Sequence, residues 1–199
     1  LLIRLAERYR AGGVGVDTSP YELRVARERA AARVPAADLV FVEGDAAAHP
    51  PRPGSVDLAA CVGASWIWGG HRGTLRALRE AARPGGLVLV GEPYWKRAPD
   101  PEFLAAGRYR ADEFSTLHGN AAIGAEEGLT LLYVMASSDA DWERYEMLQL
   151  RAAEQYAVAH PDDPDVPELL ERVRAGADAY LRWGHETLGW AIYLFRVPA

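Results

Sequence analysis

Two acidic residues stand just beyond short apolar runs, in positions that suit binding of a nucleoside. Asp17 ends the run Val14–Asp17, and Asp45 follows the run 39–42 after Glu43 and Gly44. Ligands of open α/β sheets bind beyond the carboxyl ends of the strands, where an acid can accept hydrogen bonds from both hydroxyls of a ribose. A second acid on a neighbouring strand end suits the exocyclic amine of adenine. Each aspartate is also compatible with a simple turn or helix-capping role.

A third apolar run, Val56–Val62, contains the single cysteine and ends in small residues before Trp66. Small residues there would let a ligand lie against the backbone. Cys61 has no basic neighbour in the sequence, so a structural role is favoured over that of a nucleophile. Gly13 and Gly15 do not complete a dinucleotide-binding fingerprint, because the third glycine position is Thr18 and the acid follows too soon.

The elements that position these residues alternate between strands and helices. A helix is predicted over 1–10, and Ser19, Pro20 and Glu22 form the start of a second helix through an N-cap, a proline at N1 and a capping box. A third helix contains Leu75 and Leu78 and ends at 83–86. Strands at 14–17, 39–42, 56–62 and 87–90, separated by helices or crossovers, predict a parallel sheet with both faces covered.

The second half of the chain predicts a different arrangement. Strands at 129–135 and 190–197 enclose two charged helices, 139–159 and 166–187, separated by a proline-containing linker at 160–164. We therefore expect one domain over 1–199 with a helical cap insertion at about 139–187. The fold class is α/β: a Rossmann-like, doubly wound, mostly parallel sheet with an antiparallel terminal strand, in three α/β/α layers.

Composition narrows the function classes. The chain has 199 residues, 49% of them hydrophobic and 25% charged, with a formal net charge of -6, which predicts a globular domain and argues against nucleic acid as a partner. Its one cysteine excludes an internal disulfide and favours a reducing, cytoplasmic location. No apolar run reaches the roughly 18 residues that span a membrane. No histidine or cysteine pair has metal-ligand spacing, so no metal is expected.

The order of Gly15–Ser19, Glu43–Ala46, Val56–Gly63 and Arg83–Leu87 resembles the class I S-adenosylmethionine-dependent methyltransferases. The closing pair of strands is similar to that family's sheet, whose strand order is 3-2-1-4-5-7-6. The segments 61–66 and 91–95 together look like those of one subgroup of the family, which acts on small molecules. The family's D/E-x-G-x-G strand would precede Leu1. We therefore expect the domain to be N-terminally incomplete, with two strands left with unpaired backbone groups unless they have closed up.

The resemblance implies S-adenosyl-L-methionine as cofactor and assigns residues to it. Asp17 would hold the ribose with Thr18 and Ser19 at its edge, and Asp45 with Ala46 would meet the adenine. The remaining cofactor residues would pass beside the methionine end: Cys61, Val62 and Gly63.

The same resemblance places the methyl acceptor near three aromatic or acidic groups after the fourth strand. Glu92 and Tyr94 are candidate bases and Trp95 a substrate contact, against a buried turn held by Pro93. His71, after a double glycine, is a candidate general base, although a solvent-exposed histidine at a helix start is the commoner case. Two further candidate substrate contacts are Trp66 and Tyr145, although most helical stripes like the one that contains Tyr145 are simply core.

The sequence thus predicts a transferase, a methyltransferase that acts on a small-molecule acceptor. Two alternatives stay open. A nicotinamide-dependent oxidoreductase would carry a complete glycine fingerprint about 20 residues before an acid, and would not need Asp45. A non-catalytic module of the same fold would bind a nucleoside or a partner protein without turnover.

Overall fold

The computed structural model describes residues 1–199, and their contacts group them into two units, Leu1–Arg52 and Pro53–Ala199. The first unit contains two helices and two strands: α1 (Leu2–Tyr9), β1 (Gly13–Asp17), α2 (Pro20–Arg33) and β2 (Leu39–Glu43). The predicted N-cap and N1 proline of α2 are confirmed, because the Ser19 side chain accepts a hydrogen bond from the Glu22 amide at 3.2 Å. The predicted capping box is wrong in its second half, since the Ser19 amide donates to the Asp17 carboxylate and not to Glu22.

β1 and β2 form a parallel two-stranded sheet in which Gly13 pairs with Leu39 and Asp17 with Glu43. Their carboxyl ends therefore lie at one edge. Glu7 of α1 accepts two hydrogen bonds from the Arg33 guanidinium of α2, at 2.7 and 2.6 Å, which joins the two helices. This unit has three buried apolar residues: Ala6, Leu23 and Ala30.

The second unit contains most of the elements. They are β3 (Val56–Val62), α3 (His71–Ala81), β4 (Ala82–Trp95), α4 (Pro101–Gly107), α5 (Leu117–Glu126), β5 (Thr130–Ala136), α6 (Asp139–Ala159), α7 (Val166–Ala179) and β6 (Leu188–Arg196). The sheet order is β3-β4-β6-β5, with β3 and β4 parallel and β6 antiparallel to both of its neighbours. The predicted antiparallel terminal strand is confirmed.

β1 is paired with β2 alone, and β3 with β4 alone. Each therefore has one edge without a strand partner.

The bounds of β4 and of α7 differ most from the sequence expectation. β4 continues past Val90 to Trp95, so 92–95 form part of the strand and the alternative of a turn held by Pro93 is wrong. β4 begins at Ala82 and not at Leu87, because the segment 82–86 pairs with its neighbours: Ala82 lies opposite Val56, and the Gly85 amide donates to the Val197 carbonyl at 3.0 Å. α7 ends at Ala179, and the chain continues to Thr187 through a π-helical turn at Tyr180–Gly184.

The core of the second unit lies on one face of its sheet. Val88 and Val90 of β4 pair directly with Phe195 and Tyr193 of β6, and all four are fully buried together with Leu75 of α3. α5 approaches the sheet at Gly124, where a Cβ would lie 2.2 Å from the Phe195 ring. This dense packing fixes the strand ends that carry the site described next. None of the helices combines the length and apolar character needed to cross a membrane.

Candidate active site

A cavity of about 660 Å³ opens at the carboxyl ends of β3 and β4. β3 and β4 are parallel, so their carboxyl ends meet at the same edge of the sheet, and the antiparallel β6 begins there. Its lining comes from these strand ends, from the turn after β3 and from the segment after α4: Gly63, Ser65, Trp66, Gly69, Gly70, Glu92, Pro93, Tyr109, Arg110, Asp112, Glu113, Phe114 and Trp190.

Glu92 is the buried acid of this cavity, with 2% of its surface exposed. Its Oε1 accepts a hydrogen bond from the Ser65 hydroxyl at 2.9 Å, whereas its Oε2 is buried without any hydrogen-bond partner. Burial raises the pKa of Glu92 to about 7; the Ser65 hydrogen bond opposes the shift and the charge of Glu113 adds to it. A carboxyl with such a pKa can hold or release a proton near neutrality.

His71 is the first residue of α3 and is buried, so the expectation of a solvent-exposed histidine at a helix start is wrong. Its Nε2 lies 3.1 Å from the Asn120 backbone carbonyl. A carbonyl only accepts, so we assign the hydrogen to Nε2 and leave Nδ1 with a lone pair in the neutral ring. Burial lowers the pKa of His71, more than its hydrogen bond to Asn120 raises it, which favours this neutral form.

The Nδ1 atom of His71 faces Oε2 of Glu92 at 4.0 Å, and both atoms are buried without a hydrogen-bond partner. With the histidine neutral and the glutamate ionised, both atoms are acceptors and cannot bond to each other. A proton on Oε2 would turn the pair into a donor and an acceptor. The arrangement therefore favours a protonated Glu92.

Asn120, whose backbone carbonyl binds His71, is itself held in place by its side chain. Its side-chain amide donates to the Pro93 carbonyl at 3.1 Å and to the Tyr193 hydroxyl at 3.3 Å, so α5 is tied to β4 and β6. Burial raises the pKa of Tyr193 to about 12, so the hydroxyl stays protonated at neutral pH. His71 and Asn120 do not line the cavity, and they act on it through Glu92.

Aromatic side chains form the apolar walls of the cavity. Trp66, with 73% of its surface exposed, stands at the mouth, and Trp190, Tyr109 and Phe114 line the interior. The Trp190 ring lies against the strand ends, where a Cβ at Gly63 would be 3.2 Å from it; Gly63 also has a φ of +69°, which favours glycine.

Tyr145 lies away from the cavity lining but connects to it by stacking. Its ring stacks on Trp142 at 5.3 Å between centroids, and Trp142 stacks on Trp190 at 5.9 Å. The helical stripe of α6 therefore supports a cavity wall, and Tyr145 itself is 57% exposed.

Trp95 and Tyr94 lie beside the cavity and not in its lining. The Trp95 indole donates to the Ala111 carbonyl at 3.0 Å and packs against Tyr109 and Phe114, so it supports the segment that closes the cavity. Tyr94 is buried with its ring against Gly189, where a Cβ would lie 2.4 Å from it. Of the residues predicted to bind or activate the acceptor, Glu92 and Trp66 line the cavity.

The rim of the cavity is acidic. Arg110 is its one cationic residue, and its guanidinium is bound by both carboxylate oxygens of Asp112 at 2.9 and 2.7 Å. The Arg110 amide also donates to Glu113 at 3.0 Å. Two acidic side chains, those of Glu92 and Glu113, are left without a cationic partner.

In the unit Leu1–Arg52, Asp17 and Asp45 occupy the carboxyl edge of the two-stranded sheet. Each uses Oδ1 to accept a hydrogen bond from an amide two residues on, Ser19 at 2.8 Å and Ala47 at 2.9 Å. These bonds orient both carboxylates and leave Oδ2 free of local partners. Asp17, Thr18 and Asp45 are exposed, whereas Ser19 and Ala46 are half-buried.

The predicted methionine-end residues lie at the end of β3. Cys61 is buried, and burial raises the pKa of its thiol, which suits a structural residue better than a nucleophile. Val62 is 47% exposed, and Gly63 lines the cavity.

Sequence reasoning missed several residues of this site. Ser65 and Trp190 stand in segments that the sequence did single out, and the strand-end position of each could have suggested a role. No local signal identifies the other missed residues, because their contacts span 27 to 73 positions or depend on a loop fold: Asn120, Tyr109 and Phe114.

Known proteins that are similar to this chain agree with the family resemblance seen in the sequence. A family model described as a methyltransferase domain matches residues 1–86. YjhP, an uncharacterised protein of Escherichia coli strain K12, is 30% identical over 183 residues, which covers 91% of this chain and 73% of that protein.

Two solved structures, each in complex with S-adenosyl-L-homocysteine, are similar along almost the whole chain. The S-adenosylmethionine-dependent methyltransferase from Thiobacillus denitrificans is 30% identical with a TM-score of 0.87, over 98% of this chain and 79% of that one. The enzyme from Geobacter sulfurreducens is 28% identical with a TM-score of 0.89, over 100% and 80%.

Proposed function

The chain belongs to the class I S-adenosylmethionine-dependent methyltransferases, and we propose that it methylates a small-molecule acceptor held in the cavity beside Glu92. The observation that carries this proposal is the cavity itself. Its volume of about 660 Å³ suits a small molecule, and its aromatic walls with one buried acid are typical of small-ligand sites.

The cofactor of this family is S-adenosylmethionine, and the two strand-end acids fit its nucleoside. Each carboxylate is oriented by a local amide and keeps Oδ2 free for a ligand. We propose that Asp17, with Thr18 and Ser19 beside it, binds the ribose hydroxyls and that Asp45 with Ala46 meets the adenine. Cys61, Val62 and Gly63 stay predicted for the methionine end.

The bound cofactor supplies a methyl group on a positively charged sulfur, which is already a good leaving group. The chain therefore has to align the acceptor and exclude water. The rings of Trp190, Tyr109 and Phe114 exclude water from the cavity, and Glu92 can take a proton from the acceptor. His71 acts as a positioning residue, because its Nδ1 favours the protonated carboxyl.

The net charge of -6 supports the expectation about the partner of the chain, and the single buried Cys61 supports the expectation about its location. We propose that its partner is a small molecule and not nucleic acid, that it works in the cytoplasm, and that residues 1–199 act as one domain.

Calorimetric titration of S-adenosylhomocysteine tests the nucleoside assignment. Asp17→Ala removes the ribose-binding carboxylate and is expected to weaken binding about tenfold or more, since a hydrogen bond to a charged group contributes roughly 1.5–3 kcal/mol. The matched control is Asp38→Ala, an exposed aspartate at the other end of the same sheet, which should bind like the unchanged chain. Equal affinities of the two variants would remove the role of Asp17.

A further inference from the structure

We propose that the acceptor is an organic amine that enters the cavity as its ammonium cation, with the Glu92 carboxyl as the group that receives it. This inference rests on the proposed function and names the substrate class of the same cavity. It is drawn from the charge, the aromatic lining and the unpartnered acid of the site.

The charges of the lining select against anions. Arg110 is neutralised by Asp112, so the carboxylates of Glu92 and Glu113 are the charges available to a ligand. A carboxylate or phosphate ligand would meet acids and no free cation. An ammonium group favours the ionised form of the Glu92 carboxyl, which is protonated in its absence, and so meets a counter-ion.

The aromatic walls suit the same ligand. A cation within about 6 Å of a ring face is attracted by the ring quadrupole, most strongly by tryptophan. Trp66 and Trp190 both line the cavity, with Tyr109 and Phe114 beside them. The four aromatic rings and the acids of the lining can therefore hold the cation and the carbon skeleton of an amine.

The unpartnered oxygen of Glu92 is an observation independent of the charges and of the aromatic lining. Glu92 is 98% buried, and its Oε2 has no hydrogen-bond partner within the protein. A buried carboxyl oxygen without a partner costs free energy unless a ligand or a proton satisfies it. An ammonium ligand brings both, because it has N–H donors and a proton to give.

An amine must lose a proton before its nitrogen can act as a nucleophile. In the proposed step one N–H bond of the ammonium breaks, its electron pair stays on nitrogen, and the proton bonds to the Glu92 carboxylate. The products are a neutral amine and a neutral carboxylic acid. His71 Nδ1 then faces a donor in place of a second acceptor, which stabilises the protonated acid.

Three probes of one size and shape separate the possible ligand classes. Benzylamine is a cation at pH 7.5, benzyl alcohol is neutral, and benzoate is an anion. Calorimetric titration of each into the chain, saturated with S-adenosylhomocysteine, is expected to give benzylamine at least tenfold tighter binding than benzyl alcohol, and no measurable binding of benzoate. Equal or tighter binding of the alcohol or of benzoate would overturn the proposal.

Glu92→Gln keeps the size of the side chain and removes its charge, and it should abolish the preference for benzylamine. The matched control is Glu171→Gln on the exposed surface of α7, which should keep the preference. Retention of the preference in Glu92→Gln would overturn the role of Glu92. If that variant does not fold, Trp66→Leu at the exposed mouth is expected to weaken benzylamine about threefold and the alcohol less; equal losses would count against the proposal.

Binding of S-adenosylhomocysteine to the same samples distinguishes the two levels of inference. Cofactor-product binding without a preference for benzylamine would overturn the amine assignment alone. A preference for benzylamine without binding of S-adenosylhomocysteine would overturn the proposed function and leave a cation-binding cavity.

Discussion

The acids of the two units are held in different ways. Asp17 and Asp45 each accept a hydrogen bond from an amide two positions away and stay exposed. Glu92 is buried, and its neighbours Ser65 and His71 are 27 and 21 positions away along the chain. Local contacts make the first pair predictable from a short stretch of sequence, whereas long-range packing creates the properties of the second.

This difference has consequences for stability as well as function. An exposed carboxylate with a local partner stays solvated, so its removal should cost little folding free energy. A buried polar network must satisfy every member or lose free energy. Variants at Asn120, Glu92, Asp45 and Asp17 should therefore form a series from large to small effects on unfolding.

Asn120→Ala should have the largest effect. The substitution removes two donated hydrogen bonds, to the Pro93 carbonyl and the Tyr193 hydroxyl, and leaves both acceptors buried next to a new cavity. The free energy of unfolding should fall by about 2–4 kcal/mol in urea titrations. Gln149→Ala, on the exposed face of α6, is the control and should change it by less than about 0.5 kcal/mol. A similar small loss at Asn120 would contradict the network.

The same contrast explains how far the sequence could predict the molecule. The bounds of β3 and α6, the Ser19 cap and the antiparallel last strand follow from periodicity, capping and family resemblance, and all are confirmed. These features depend on residues that are near in sequence or on a pattern of strand order.

The environment of the candidate site could not be predicted in the same way. His71 follows two glycines and suggests an exposed helix start, but α5 covers it through Asn120. Tyr94 and Trp95 have the residue types of an acceptor site, but they support the cavity from beside it. Burial of this kind arises from contacts between distant segments, for which one sequence has no local signal.

Glu92→Gln should stabilise the chain at high pH. Between pH 4.5 and about 7 the unfolded glutamate loses its proton while the folded one, with its raised pKa, keeps it, so stability falls as pH rises and is constant above that range. Burial is the main cause of this raised pKa; the hydrogen bond from Ser65 opposes it, and the charge of Glu113 adds to it. The variant has no ionisation at this position and should gain about 3 kcal/mol at pH 8 relative to the unchanged chain.

Urea titrations at pH 4.5 and pH 8 check this prediction. The gain should be present at pH 8 and small at pH 4.5, where the folded carboxyl is neutral and the unfolded one is only half ionised. His71 has the opposite pH dependence, because its pKa is lowered and stability falls as pH drops below 6.5. Subtracting the free energies of unfolding of the two proteins at each pH cancels the contribution of His71 and leaves that of Glu92. A pH-independent difference would show that Glu92 is ionised in the fold.

Asp45→Ala should have a smaller effect, a loss of about 1 kcal/mol in the free energy of unfolding. The side chain caps the short 3₁₀ helix Ala46–Ala48 by accepting the Ala47 amide, and removal of such a cap costs roughly 0.5–2 kcal/mol. Asp45→Ser, which can still cap, is the control for the fold and should recover most of the loss in thermal unfolding. Failure of serine to recover it would mean that the acid does more than cap.

Asp17→Asn should have the smallest effect on stability and still separate structure from function. The amide oxygen of asparagine can accept the Ser19 N–H as Asp17 does at 2.8 Å, so unfolding should change by less than about 0.5 kcal/mol. Ribose hydroxyls, however, would donate to a neutral oxygen in place of a carboxylate, and charge-assisted hydrogen bonds are roughly twice as strong. We therefore expect S-adenosylhomocysteine to bind roughly tenfold more weakly, by calorimetry, to a chain of unchanged stability. A loss of stability without a loss of affinity would make Asp17 a turn residue with no role in binding the ribose.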